Sequence, residues 1–127
     1  MSIKKIVIGL TLSLLLASGV ANADWGDVYY CQMTTFKSFT PEGEQSHHKL
    51  DKFQFKLDQT KKAMVFGSSG YFADTVSKLT EGRYWPSEES WWASDNYSLT
   101  HFNQGKLIEA HVSPGGIKAM TADCDKF

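Results

Sequence analysis

Two cysteines, Cys31 and Cys124, stand toward opposite ends of the 127-residue chain, and there are no others. Joined, they would close a loop of 93 sequence steps. Such a bond requires the two Cα atoms to lie within about 7 Å. A chain that makes it must therefore bring its first and last folded segments together, either as neighbours or face to face across a core. Its entropic effect on the unfolded chain has a ceiling near ~4.5 kcal/mol. Few other features of this sequence restrict the fold so strongly.

Whether the bond forms depends on compartment. The chain begins Met1-Ser2-Ile3-Lys4-Lys5, continues through an apolar run from Ile6 to Val20, and reaches Ala21-Asn22-Ala23. A basic start, an apolar stretch and a small-x-small site are the three parts of a secretory signal, with cleavage expected after Ala23. Gly9, Ser13, Ser18 and Gly19 dilute the run as a membrane anchor. Leu16-Ala17-Ser18-Gly19 resembles the start of a lipoprotein site, but no cysteine follows to be acylated, so the product is expected to be free of a lipid anchor. The short dibasic start points to the periplasm, or to secretion. An even cysteine pair in an exported protein is expected to be oxidised. The sequon Asn96-Tyr97-Ser98 matters only in a host that glycosylates.

Residues 24–127 then form one domain. Setting aside Lys4 and Lys5 leaves 11 of the 13 basic residues against 14 acidic ones, a net charge of −3. Lys61-Lys62 is the longest basic run, so nucleic-acid binding has no electrostatic footprint. A domain of this size buries roughly 65% of its unfolded surface and folds with a slim margin.

Short alternating segments cut by turn residues predict an antiparallel β fold. In Lys52-Phe53-Gln54-Phe55-Lys56-Leu57-Asp58 the apolar residues share one face and the polar residues the other. Further strands are expected at Val28–Phe36, Ala63–Phe66, Tyr97–Phe102, Leu107–Val112 and Ile117–Cys124. Asn103-Gln104-Gly105-Lys106 reads as a hairpin turn, with Gly105 taking a positive φ. Phe72, Val76 and Leu79 suit either a short helix or an irregular strand. Pro86-Ser87-Glu88-Glu89 could start a helical turn, and Trp91-Trp92-Ala93 could begin a strand. Strand parity puts Cys31 with Tyr29 and Met33, and Cys124 with Met120 and Ala122, both on apolar faces. The expectation is an all-β domain of seven or eight strands with at most one or two helical turns, closed by one disulfide. A small antiparallel barrel is favoured because closure removes edge strands, with a β-sandwich as the alternative.

Catalytic and metal-binding patterns are not met. His101, Glu109 and His111 fall on the predicted hairpin and could approach one another as ligands, yet there is no HExxH and no Cys/His cluster. Gly67-Ser68-Ser69-Gly70 lacks the G-x-S-x-G spacing of an exposed nucleophile. Glu88 and Glu89 are successive rather than converging from separate elements. No catalytic residue, metal or cofactor is assigned. The unusual feature is aromatic: Arg83 to Trp92 holds Trp85, Trp91 and Trp92, three of the four tryptophans. Indole suits sugar rings, lipid edges or a protein partner, and Arg83 could add directional hydrogen bonds. Equally, Trp91 and Trp92 must face opposite ways in a strand, so that one fills the core while the other covers a neighbouring strand.

The layout is similar to that of bacterial periplasmic inhibitors of c-type lysozyme, small antiparallel barrels that begin with Tyr-x-Cys and end near a second Cys. Tyr29-Tyr30-Cys31 and Cys124 match that frame. Ser69-Gly70-Tyr71 resembles the family's Ser-Gly-x-x-Tyr inhibitory loop but with a different spacing to the tyrosine, and the charged pattern expected downstream is absent. The resemblance implies inhibition of an envelope hydrolase. The reading that stands first is an exported, non-enzymatic binding domain for a protein, glycan or lipid of the cell envelope, contacting it through Arg83, Trp85, Trp91 and Trp92. Inhibition of a hydrolase is second, and a small hydrolase or metal-binding enzyme third.

Overall fold

The computed structural model describes residues 23–80 and 90–127. Among them lie nine strands and no helix: β1 Val28–Phe39, β2 Gln45–His47, β3 Lys52–Asp58, β4 Ala63–Phe66, β5 Val76–Thr80, β6 Trp91–Ser94, β7 Ser98–Asn103, β8 Lys106–Ser113 and β9 Gly116–Lys126. Every pairing is antiparallel. Sequence neighbours pair in order from β3 to β9, and β1 bonds to both β3 and β9. The ring of β1 and β3 to β9 is thus a closed eight-stranded barrel, with β2 an additional strand on the far half of β1.

Cys31 and Cys124 are directly opposite across the β1–β9 seam, bonded, with Cα atoms 4.0 Å apart. First and last strands are neighbours, which decides between barrel and sandwich. Such a bond belongs to an oxidising, non-cytoplasmic environment. The seam has one irregularity, between Met33 and Thr35, where two residues of β1 oppose one of β9. This bulge resets strand parity. Cys31 and Met33 point inward before it, and Phe36 points inward after it. Thr34, at the break, is tied to Thr121 by a 2.7 Å hydroxyl–hydroxyl hydrogen bond.

Inward residues of the barrel strands form one core. Tyr29, Phe53, Phe55, Leu57, Met64, Phe66, Phe102, Leu107 and Met120 are all buried. Phe55 lies at 5.4 Å from Tyr29, 5.7 Å from Phe66 and 5.1 Å from Phe102, centroid to centroid, so aromatic pairing adds to area burial in the middle of the barrel. At the end where β1 begins, Trp25 meets Trp91 edge-on at 5.0 Å. At the other end the loop between β4 and β5 folds in, and Phe72 stacks on Phe66 at 4.6 Å. The residues with helical spacing are therefore a turn and a strand: Phe72 plugs from the loop, and Val76 on β5 is exposed.

Two turns depend on glycine, the first as expected from its sequence. Gln104 (φ 49°) and Gly105 (φ 76°) are both left-handed, as a two-residue hairpin requires. Gly116 has φ 127°, and a Cβ there would fall 2.0 Å from the Phe39 carbonyl oxygen, so no other residue fits where β9 passes the end of β1.

Candidate functional sites

Two places on the barrel have the make-up of a binding site, one on its outer wall and one at its mouth. The outer wall follows from register. Residues paired side by side form rows running across the strands. One row is Trp92–His101–Ile108–Thr121–Thr35, and the next is Ser94–Leu99–Ala110–Ala119–Lys37. In the second row two methyl groups, Ala110 and Ala119, lie between longer side chains. The result is a groove of about 400 Å³, floored by those alanines and bordered by Trp92, Leu99, Ile108 and Phe39. Leu99 (48% exposed), Ile108 (49%) and Phe39 (41%) face solvent, and Val112 and Ile117 extend the apolar surface beyond it. Trp92 is half-buried, its ring 4.3 Å from that of His101.

The opposite wall is different in kind. β3 turns Lys52, Gln54 and Lys56 outward, and β5 adds Lys78. Among the described residues, exposed Val76 interrupts this polar wall, and Leu99, Ile108, Val112 and Ile117 gather on the groove side.

At the mouth, the β4–β5 loop, the β6–β7 turn and the ends of β5 and β8 enclose a cavity of about 250 Å³. Tyr71, Phe72, Ser77, Asp95, Ser98, Glu109 and His111 line it. Asp95 begins an Asx turn: its Oδ1 accepts from the Tyr97 and Ser98 amides at 3.0 and 2.9 Å and from Ser98 Oγ at 2.7 Å. Burial pushes the Asp95 carboxyl up, but these hydrogen bonds outweigh it and hold it below its ordinary value. Glu109 points inward from β8, 5% exposed, and its buried Oε1 accepts no hydrogen bond. Burial, aided by the charge of Asp95 and opposed by Lys118, pushes the Glu109 carboxyl up to about 7. Tyr71, desolvated and facing both carboxyls, is pushed up to about 12.

The residues singled out from the sequence fall in different places. Arg83 and Trp85 lie outside the described residues, as does Pro86-Ser87-Glu88-Glu89. Trp91 turns inward onto Trp25 and the core, and Trp92 turns outward into the groove. The three candidate metal ligands separate: His101 pairs with the outward Ile108, whereas Glu109 and His111 point into the barrel. Among the described residues no group of three or more His, Cys, Asp or Glu is placed to hold a metal ion. Ser69 and Gly70 are exposed at the tip of the β4–β5 loop, but Tyr71 packs inward at 4.9 Å from Phe36.

The sequence marks Trp92 of the groove as a contact residue, and Glu109 and His111 of the mouth only as candidate metal ligands, but neither site as a whole. The groove has one further visible signal, consecutive apolar residues Leu107-Ile108 on a strand whose other residues alternate. The mouth had the Asx motif Asp95-x-x-Ser98 and an acid at an inward position, Glu109. No family model, no curated protein and no solved structure matches the chain.

Proposed function

We propose that this chain is an exported, non-enzymatic interaction domain of the periplasm or the secreted fraction, and that it holds a protein partner of the cell envelope in the outer groove. One observation carries this reading: an apolar groove beside a half-buried tryptophan, opposite a wall that turns Lys52, Gln54, Lys56 and Lys78 outward. Exposed apolar surface of this kind marks interaction sites on small soluble domains. Apolar floor and walls suit leucine, valine or aromatic side chains of a protein. A glycan needs polar partners for its hydroxyls. Thr35, Lys37 and His101 also line the groove, but its exposed lining is almost wholly apolar, and the hydroxyl of Thr121 is already engaged with Thr34. Tryptophan is also among the residues in which interface energy concentrates.

The test is site-specific photocrosslinking. A benzophenone amino acid placed at Ile108, or at Lys56 on the polar wall as control, is irradiated in envelope extract. The expected result is one adduct of defined mass from position 108 and none from position 56, lost when Leu99→Glu is added. No adduct at 108, or the same adducts from both positions, would overturn the reading, and a lipid-only adduct would replace the protein partner with a lipid. If the captured protein is a hydrolase, inhibition becomes the activity to measure, by adding the purified domain to a lysozyme turnover assay.

A further inference from the structure

The mouth cavity opens at the end of the barrel rather than on its outer wall, with Glu109 of β8 bordering both, and calls for a different ligand. Its central group is the Glu109 carboxyl, held inside the barrel with Oε1 buried and accepting no hydrogen bond. A buried acceptor without a donor costs about 1–3 kcal/mol, so the site as it stands is short of one donor. The elements packed around Glu109 supply its titratable neighbours: Tyr71 from the β4–β5 loop, Asp95 from the β6–β7 turn, His111 from β8 and Lys118 from β9. Asp95 is a fixed negative charge, with Oδ1 saturated by three donors. Lys118 is exposed and does not line the cavity. Rings of Tyr71 and Phe72, 4.8 Å apart and edge to face, form one wall.

We propose that this cavity binds a small organic monoammonium ion, its charged head on the Glu109 carboxylate and its alkyl part against Tyr71 and Phe72. An ammonium supplies the missing donor, and a neutral alcohol would too. Only the cation also uses the negative field of Asp95 and the electron-rich ring faces. At about 250 Å³ the cavity is below the 300–1,000 Å³ typical of drug-sized ligands, which limits the guest to a few carbons. A cation at this point favours the ionised form of Glu109, so binding expels a proton and strengthens as pH rises.

The probe is butylammonium, with butyrate as the isosteric anion, titrated into the ¹⁵N-labelled oxidised domain and followed by amide shifts. Saturable shifts are expected at Tyr71, Ser98 and His111 with butylammonium and not with butyrate. Amides of Phe39, Trp92 and Ala119 stay in place, which separates this site from the outer groove. Affinity should fall at least tenfold from pH 8 to pH 5, and at least tenfold in the near-isosteric Glu109→Gln variant. The pH arm needs no variant, so it remains decisive if that substitution disturbs folding. Equal response to butyrate, affinity unchanged in either arm, shifts confined to the groove, or no saturation by about 100 mM amine, far above a 1 mM Kd, would overturn the proposal.

Discussion

Removing the Cys31–Cys124 bond should weaken the barrel without opening it. Around the bond, β1 and β9 are paired at ten register positions, from Tyr29↔Lys126 to Phe39↔Ile117. The backbone ladder closes the barrel by itself, and the disulfide adds little to the folded state beyond what those pairs provide. Its effect falls on the unfolded chain, where it ties residues 93 apart. The loop-closure relation gives about 4.6 kcal/mol at 25 °C for that separation. Urea slopes for small domains run about 1–3 kcal/mol/M, so the midpoint should drop by roughly 1.5–4.6 M on reduction. The assay is urea unfolding followed by tryptophan fluorescence, for oxidised protein, for protein in reductant, and for a Cys31→Ala/Cys124→Ala variant. Below the new midpoint, amide shifts of Phe55, Phe102 and Leu107 should remain those of the oxidised barrel. A loss under about 1 kcal/mol would refute the entropic argument. Disordered spectra at zero urea would instead mean that the seam does not hold without the bond.

Two further outcomes follow from the interior. Folded Glu109 keeps its proton to about pH 7, whereas the unfolded chain releases it near 4.5. Stabilisation from the neutral carboxyl is therefore complete below pH 4.5 and lost as pH rises to about 7. That interval corresponds to roughly 3 kcal/mol, or about 2 kcal/mol once solvent reaching the cavity is allowed for, so Glu109→Gln should raise stability at pH 8 by about 2 kcal/mol and flatten this dependence in urea melts. Trp91→Ala, which empties the contact with Trp25, should cost about 3 kcal/mol, whereas Trp92→Ala should cost under about 1.5 kcal/mol and abolish crosslinking from position 108.

Strands whose two faces differ were legible from sequence. Lys52–Asp58 and Ala63–Phe66 fall where alternation and turn residues put them, and parity alone put both cysteines on inward faces. β2 carries no such pattern: Gln45, Ser46 and His47 are all exposed, and their pairing depends on the tight turn in which Thr40 and Glu44 bond backbone to backbone. Phe72 and Val76 shared a helical spacing only because a loop side chain and an outward strand side chain happened to be four residues apart. Glu109 and His101 lie on one hairpin, but pairing of His101 with Ile108 sends the two to opposite faces. Tyr71 and Asp95 meet Glu109 only through closure of the barrel, which no local window contains. The groove likewise exists between strands, as a row of register partners whose members are far apart along the chain.

The position of the disulfide also determines how the domain bears a load. Asp27 and Lys126, joined by a 3.2 Å ion pair, sit at the same end of adjacent antiparallel strands. Tension applied between residue 24 and residue 127 would unzip the seam one pair at a time from that end. Tyr29↔Lys126 and Tyr30↔Asp125 would part, and the next pair is the covalent one. Beyond it the force passes from sulfur to sulfur, and the remaining register, the groove and the mouth are mechanically shielded. Reduced, the same pull would run on through the bulge at Thr34 to Phe39. The bond is thus a stop placed two rungs into a zipper, and single-molecule extension with and without reductant would read its position directly.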